Sequence, residues 1–241
     1  MTVFHNQVAV VTGASSGIGR AIAIGLATQG AKLCLLGRKL DQLLAIAKIA
    51  EETSPQVLCY QLDLTLDQDI QQIKARLEGD YGQVDLLIHS AGVITLGEVK
   101  TAPVEDFDWQ YRTNVRAPYL LTQALLPELI SSQGQIVFIN SSAGLTAKAG
   151  VGQYAATKHA LKAIADSLRS EVNTLGVRVL SVFPGNTASP MQAALCEIAR
   201  KAYNPERLIQ PEDVAAVAIN ALSLPRTAEV TDVHVRPFLK S

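Results

Sequence analysis

Tyr154 and Lys158 stand four residues apart at the start of a helical pattern, Tyr154-Ala-Ala-Thr-Lys158. That spacing puts a phenol and an ammonium on one helix face. The chemistry that needs such a pair is hydride transfer to or from a carbonyl, in which negative charge develops on oxygen and an acid must supply a proton. A free phenol titrates near ~10, and a neighbouring ammonium is expected to favour the phenolate and lower that value. A hydroxyl on the substrate oxygen would complete the site. Ser141 and Ser142, just after the apolar run Ile136-Val137-Phe138-Ile139-Asn140, are both placed for it. A tyrosine one turn from a lysine is by itself an ordinary surface pair, so its meaning depends on its surroundings.

A second constellation lies near the amino end, where an apolar run leads into Thr12-Gly13-Ala14-Ser15-Ser16-Gly17-Ile18-Gly19 and then a helical pattern. Glycines let backbone N–H groups approach a pyrophosphate without intervening Cβ atoms. The helix start adds free donors and a partial positive charge, and Ser15 and Ser16 can add hydroxyl donors or cap the helix. The spacing is G-x-x-x-G-x-G rather than G-x-G-x-x-G. At the end of the next apolar run, Leu35-Leu36-Gly37-Arg38-Lys39, no carboxylate is present to accept from a ribose 2′-OH. Arg38 is placed to grip a 2′-phosphate, a charged bond of ~1.5–3 kcal/mol, so NADP(H) is expected over NAD(H). The bland alternative is that Arg38 and Lys39 solvate the start of a helix.

Both constellations need strands and helices to hold them. Apolar runs at 7–11, 32–36, 56–62, 84–88, 135–140, 178–183 and 231–235 read as strands, continuous enough for a parallel sheet covered on both faces. Ile18, Ile22 and Leu26 mark the buried face of a first helix that Gly30 stops. Further helices are expected at 40–52, 68–79, 105–131, 153–175, 190–203 and 211–224. The alternation predicts an α/β fold, a doubly wound parallel sheet of about seven strands with right-handed crossovers and helices on both faces. No linker or repeat divides it, so residues 1–241 are expected to form one domain. The irregular stretch at about 185–210 should hang over the carboxyl edge, where ligands bind.

Lys plus Arg number 21 and Asp plus Glu 22, a net charge of −1, which argues against nucleic acid and a polybasic membrane anchor as partners. No run reaches the ~20 apolar residues of a bilayer span, and residues 1–7 lack the pattern of a secretory leader. Cys34, Cys59 and Cys196 are an odd number without C-x-x-C spacing. A cytoplasmic protein is expected. The four histidines, at 5, 89, 159 and 234, form no metal-binding pair, so no metal site is expected.

Taken together, and in order, the motifs resemble the short-chain dehydrogenase/reductase family. They are Thr12-Gly13-x-x-x-Gly17-x-Gly19, Asp63, Ala91-Gly92, Asn114, Ser141, Tyr154-x-x-x-Lys158 and Pro184-Gly185. The resemblance runs from residue 6 to about 236 and implies a Rossmann-like, NADP(H)-preferring enzyme. Its serine-to-tyrosine spacing selects Ser141 over Ser142. By that resemblance Tyr154 is the general acid/base, Lys158 lowers its pKa and holds the nicotinamide ribose, Ser141 polarises the carbonyl and Asn114 anchors a proton relay through water. Asp63 would contact the adenine, next to Leu64. Ser90, Ala91, Gly92, Pro184, Gly185 and Thr187 would line the nicotinamide half, and a homodimer or homotetramer is implied.

Where the family has Asn-Asn-Ala-Gly, this chain has His89-Ser90-Ala91-Gly92, and His89 reads as an internal, hydrogen-bonded histidine. Thr187 and Ser189 compete for the nicotinamide carboxamide. The carboxyl end, Asp232-Val233-His234-Val235-Arg236-Pro237-Phe238, lacks the Val-Asp-Gly-Gly of acyl-carrier-protein ketoreductases. Met191, Leu195, Ile198 and Tyr203 recur at helical spacing and could form an apolar pocket mouth or a lid on the core. The expected substrate is a small to medium apolar carbonyl compound or secondary alcohol. A cofactor-binding sensor without catalysis is the alternative, against which the intact Asn114, Ser141, Tyr154 and Lys158 set speaks.

Overall fold

In a computed structural model, which describes residues 3–239, seven parallel strands form one sheet in the order β3-β2-β1-β4-β5-β6-β7. The strands are β1 (Val8–Thr12), β2 (Lys32–Gly37), β3 (Val57–Gln61), β4 (Leu86–His89), β5 (Gln135–Ile139), β6 (Arg178–Pro184) and β7 (Asp232–Val235). Two residues of the leader argument, Met1 and Thr2, and the last two of the 1–241 domain lie outside the described residues.

Side chains alternate across a strand, and here both faces are apolar. Ala9, Val11, Leu33, Leu35, Leu86, Ile88, Val137 and Ile139 join one core, packed under α1 (Gly17–Thr28), α2 (Leu40–Ala50) and α8 (Pro211–Leu222). Val10, Cys34, Leu36, Leu87, Ile136, Phe138 and Val179 join the other, under α3 (Asp67–Asp80), α5 (Ala117–Ser131) and α6 (Gly152–Val172). This two-sided covering is why the strands read as unbroken apolar runs. Burial of a Leu, Ile, Val or Phe side chain contributes about 1.5–3 kcal/mol.

Two helical expectations need correction. The single helix at 105–131 is α4 (Val104–Tyr111), a π-helical turn (Arg112–Arg116) and then α5. Pro118 has no N–H for the Asn114 carbonyl four residues back, and Ala117 N–H instead reaches the Arg112 carbonyl, five back. The helix expected over 190–203 is α7 (Pro190–Ile198) and stops five residues early. Arg200 takes a left-handed φ of 51° and Lys201 N–H closes back on the Cys196 carbonyl at 2.8 Å. Tyr203 therefore leaves the helical series. No residue of α7 is fully buried, with Met191 and Ile198 exposed, so this helix does not pack as a core element.

Because every strand is parallel, Thr12, Gly37, Gln61, His89, Ile139 and Pro184 all end at one edge. The strand order reverses between β1 and β4, and a crevice for a ligand opens at such a switch point.

Candidate active site

The glycine turn sits at that switch point. Gly13 has φ +65°, and a Cβ there would lie 2.9 Å from both the Cα and N of Ala91. A Cβ on Gly19 would strike the Gly13 carbonyl, and Gly17 has φ +53°. The turn is locked to the β4 end by Thr12, the first residue of the motif, to which the sequence reading gave no role. Thr12 Oγ1 donates to the Ile88 carbonyl (3.2 Å) and accepts from the N–H groups of Ser90 (3.0 Å) and Ala91 (3.1 Å). Ser16 occupies the N-cap of α1 but makes no side-chain capping bond, which removes one of its two expected roles. Helix starts leave N–H groups without intrahelical partners, so the turn can cradle a phosphate. Ser15 and Ile18 lie within it.

Around this turn stand the other residues expected to hold a nucleotide. Arg38 and Lys39 follow β2 and are exposed, and Arg38 is in no ion pair among the described residues. Gln61 Nε2 donates to the Arg38 carbonyl at 3.0 Å, tying the β2 end to the β3 end. Asp63 Oδ1 accepts from both Thr65 N–H and Thr65 Oγ1 at 2.9 Å, an Asx turn that fixes the loop before α3. Leu64 lines a small cavity with Thr12, His89 and Ala91.

Ser141, Tyr154 and Lys158 are brought together by β5 and α6. Ser141 caps a short turn (Ser142–Gly144), its Oγ accepting from Ala143 N–H at 3.1 Å, and its hydroxyl acts on the Tyr154 phenol to lower its pKa. Lys158, 4% exposed, donates from Nζ to the Ile139 carbonyl at 3.0 Å. Burial pushes its ammonium down to about 8. The expected depression of the phenol is corrected: burial raises the Tyr154 pKa, and the Ser141 hydrogen bond opposes that rise. Lys158 Nζ stands over the ring face, 5.9 Å from its centroid. In this arrangement the Tyr154 phenol is held in its neutral form.

Asn114 sits in the π turn, 1% exposed. Its Oδ1 accepts from Val93 N–H and its Nδ2 donates to the Val93 carbonyl, both at 2.9 Å, and Nδ2 also donates to Thr157 Oγ1 at 3.1 Å. The side chain thereby pins the segment after Gly92 against α6. A Cβ on Gly92 would lie 3.8 Å from Lys158 Nζ, so this segment borders the Tyr154/Lys158 pair.

Sequence reasoning also missed Asn140 and Thr157. Asn140 Oδ1 accepts from Ser141 N–H (2.9 Å) while its Nδ2 donates to the Lys158 carbonyl (3.1 Å), fixing the serine against the lysine's helix. A Cβ on Gly144 would collide with Asn140 Oδ1, which explains the glycine. The available signal was a polar residue ending an apolar strand.

His89 is elsewhere. Its Nε2 bonds Thr122 Oγ1 at 2.8 Å and its ring stacks on Phe138 at 4.8 Å, while burial lowers its pKa to about 3. It is a neutral structural group. Past β6, Thr187 is buried and donates to the Gly185 carbonyl at 3.1 Å, whereas Ser189 Oγ accepts from Gln192 N–H and caps α7. Among the described residues no His, Cys, Asp or Glu group forms a metal site, and no helix is long and apolar enough to cross a membrane.

A parallel doubly wound sheet with a glycine turn at its switch point and a Ser-Tyr-Lys set at its carboxyl edge defines a dinucleotide-linked oxidoreductase class. A sequence profile described as short chain dehydrogenase matches residues 7–198, and the chain belongs to that family. An uncharacterized oxidoreductase of Staphylococcus saprophyticus is 33% identical over 239 residues, covering 98% of this chain and 100% of the relative. A metagenomic short-chain oxidoreductase solved in complex with NADP superimposes with a TM-score of 0.85 at 30% identity, covering 99% and 100% of the two chains. A short chain dehydrogenase from Shigella flexneri, also solved with NADP, gives a TM-score of 0.87 at 31% identity over 98% of each chain.

Proposed function

We propose that this protein is an NADP(H)-dependent oxidoreductase that interconverts a small to medium apolar carbonyl compound and its alcohol. The observation that carries this reading is the Ser141–Tyr154–Lys158 set beside Gly92, with Lys158 buried and Ser141 and Tyr154 half-buried, at the edge where the glycine turn opens. The turn fits a dinucleotide: Gly13 is held at a φ and a closeness to Ala91 that exclude a side chain. Gly13, Ser15, Ser16, Gly17, Ile18 and Gly19 would hold the pyrophosphate. Arg38 would hold the 2′-phosphate and Asp63 with Leu64 the adenine end. Ser90, Ala91, Gly92, Pro184, Gly185 and Thr187 would line the nicotinamide end, with Tyr154 and Lys158 beside it. Thr187 Oγ1 donates to Gly185 and keeps its acceptor lone pairs open, whereas Ser189 Oγ already accepts from Gln192 N–H, which favours Thr187 as acceptor for the carboxamide N–H.

When bound, the coenzyme supplies the hydride. Ser141 Oγ–H polarises the substrate oxygen, and the neutral Tyr154 phenol protonates that oxygen as charge develops. The Lys158 ammonium stabilises the phenolate left behind. Pro118 denies the Asn114 carbonyl its α-helical donor, which supports a water relay that reprotonates the tyrosine from there.

Within one 1–241 unit, the 185–210 segment with exposed Met191 and half-buried Leu195 would form the apolar mouth. Absence of disulfides among the described residues supports a cytoplasmic setting, and exposed Tyr111 and Tyr119 on the α4–α5 face support a homodimer or homotetramer. The test is a panel of carbonyl compounds followed by NADPH absorbance. Turnover of apolar ketones or aldehydes is expected, and turnover confined to highly charged substrates would overturn the apolar mouth.

A further inference from the structure

The eight-residue helix α4 buries one side chain fully, and that side chain is polar: Gln110, 0% exposed. Amphipathic helices dock through apolar residues, so a glutamine as the only fully buried residue of the helix, beside a half-buried Phe107, needs a reason. Its Oε1 accepts from Thr95 N–H at 3.2 Å. Its Nε2 donates to Thr95 Oγ1, to the Asp106 carbonyl (3.2 Å) and to Gln153 Oε1 (3.3 Å). Gln153 in turn donates from Nε2 to the Pro103 carbonyl at 2.8 Å. Three separate pieces of chain meet on one amide: the strap after β4, helix α4 and the first turn of α6.

The strap runs along the reacting groups. It begins at Gly92, beside Lys158 Nζ, and is pinned at Val93 by Asn114. It ends at Gly97, which bridges to Val151 and donates its N–H to the Gly150 carbonyl at 2.9 Å. Val151 is three residues before Tyr154, and Gln153 is its immediate neighbour. The strap is thus fixed near Lys158 at one end and to the start of the Tyr154 helix at the other, so a carbonyl compound held by Tyr154 would border residues 93–97.

We infer that Gln110 is a positioning residue for the substrate site, holding the 93–97 strap in register with the start of the Tyr154 helix. This rests on the proposed carbonyl chemistry. Gln110 touches neither Tyr154 nor the glycine turn by any hydrogen bond, so its effect is on the population of a binding-competent strap. Loss of that population raises the apparent dissociation constant by the inverse of the competent fraction. Uniform loss of binding raises KM and leaves kcat alone.

The test replaces Gln110 by Met, which keeps length and apolar volume but none of the bonds. For the carbonyl compound best turned over by the wild type, KM should rise about tenfold, while kcat and the NADPH dissociation constant stay within about twofold. Independently of turnover, amide hydrogen exchange at Thr95 should accelerate while exchange in β1 does not change. Should Gln110→Met fail to fold, Thr95→Val, which removes the Oγ1 acceptor but keeps the N–H bond, should give a smaller KM rise in the same direction together with a smaller acceleration of exchange at Thr95. An unchanged KM with only a lower melting temperature would overturn the inference, as would a fall in kcat at constant KM. Wild-type protein that turns over no carbonyl compound would defeat the functional reading instead, and the exchange at Thr95 would still decide whether Gln110 holds the strap.

Discussion

At the scale of single residues, the proposed proton donor is set by competing shifts of a phenol and an ammonium. Burial holds Tyr154 protonated, and burial also brings Lys158 down from its ordinary range to about 8. The lysine loses its charge first as pH rises. Carbonyl reduction should therefore be flat below pH 8 and decline above it with the slope of one ionisation, because an uncharged Lys158 no longer stabilises the phenolate. A pH profile of kcat/KM checks this, and an inflection at or above 10 would assign the limb to the phenol. Arg38 carries a second prediction at this scale. Arg38→Gln should weaken NADPH binding about ten- to a hundredfold, the contribution of a charged hydrogen bond, and leave NADH binding nearly unchanged. Fluorescence titration with both coenzymes measures the difference.

Elements decide whether those residues meet. The turn between β1 and α1 depends on Gly13, where an added Cβ meets the Ala91 main chain and φ is +65°. Gly13→Ala should cost about 1–3 kcal/mol of stability and abolish coenzyme binding, as thermal melts with and without NADPH would report. Strand ends and helix starts were legible in sequence because glycine, serine and tyrosine motifs sit at fixed offsets from apolar runs. Asn140, Thr157 and Gln110 were not, since each bonds to chain that only the tertiary fold brings near. The π turn was equally hidden: helical periodicity around 105–131 continues through it, and only Pro118 signals the slip. The lowered Tyr154 pKa expected from Lys158 failed for a related reason, because spacing along a helix reports proximity and not burial.

Across the whole molecule, two apolar cores press one parallel sheet from both sides. Unbroken apolar strands with helices between them made this architecture readable from one sequence. The burial that builds it also buries His89 in neutral form, at a pKa near 3 against 6.5 when exposed. Below 6.5 the unfolded chain binds a proton that the folded chain does not, so stability present above 6.5 is lost as pH falls toward 3. The loss approaches about 1.4 kcal/mol per pH unit from this residue. Urea melts between pH 6.5 and 4.5 should be less steep in pH for His89→Gln than for the wild type. The most direct measurement of the central claim concerns the phenol. Tyr154→Phe should lower carbonyl turnover by about 10²–10⁴-fold, the contribution of a positioned general acid, with NADPH bound as tightly as before. Turnover retained by the phenylalanine variant would contradict the account.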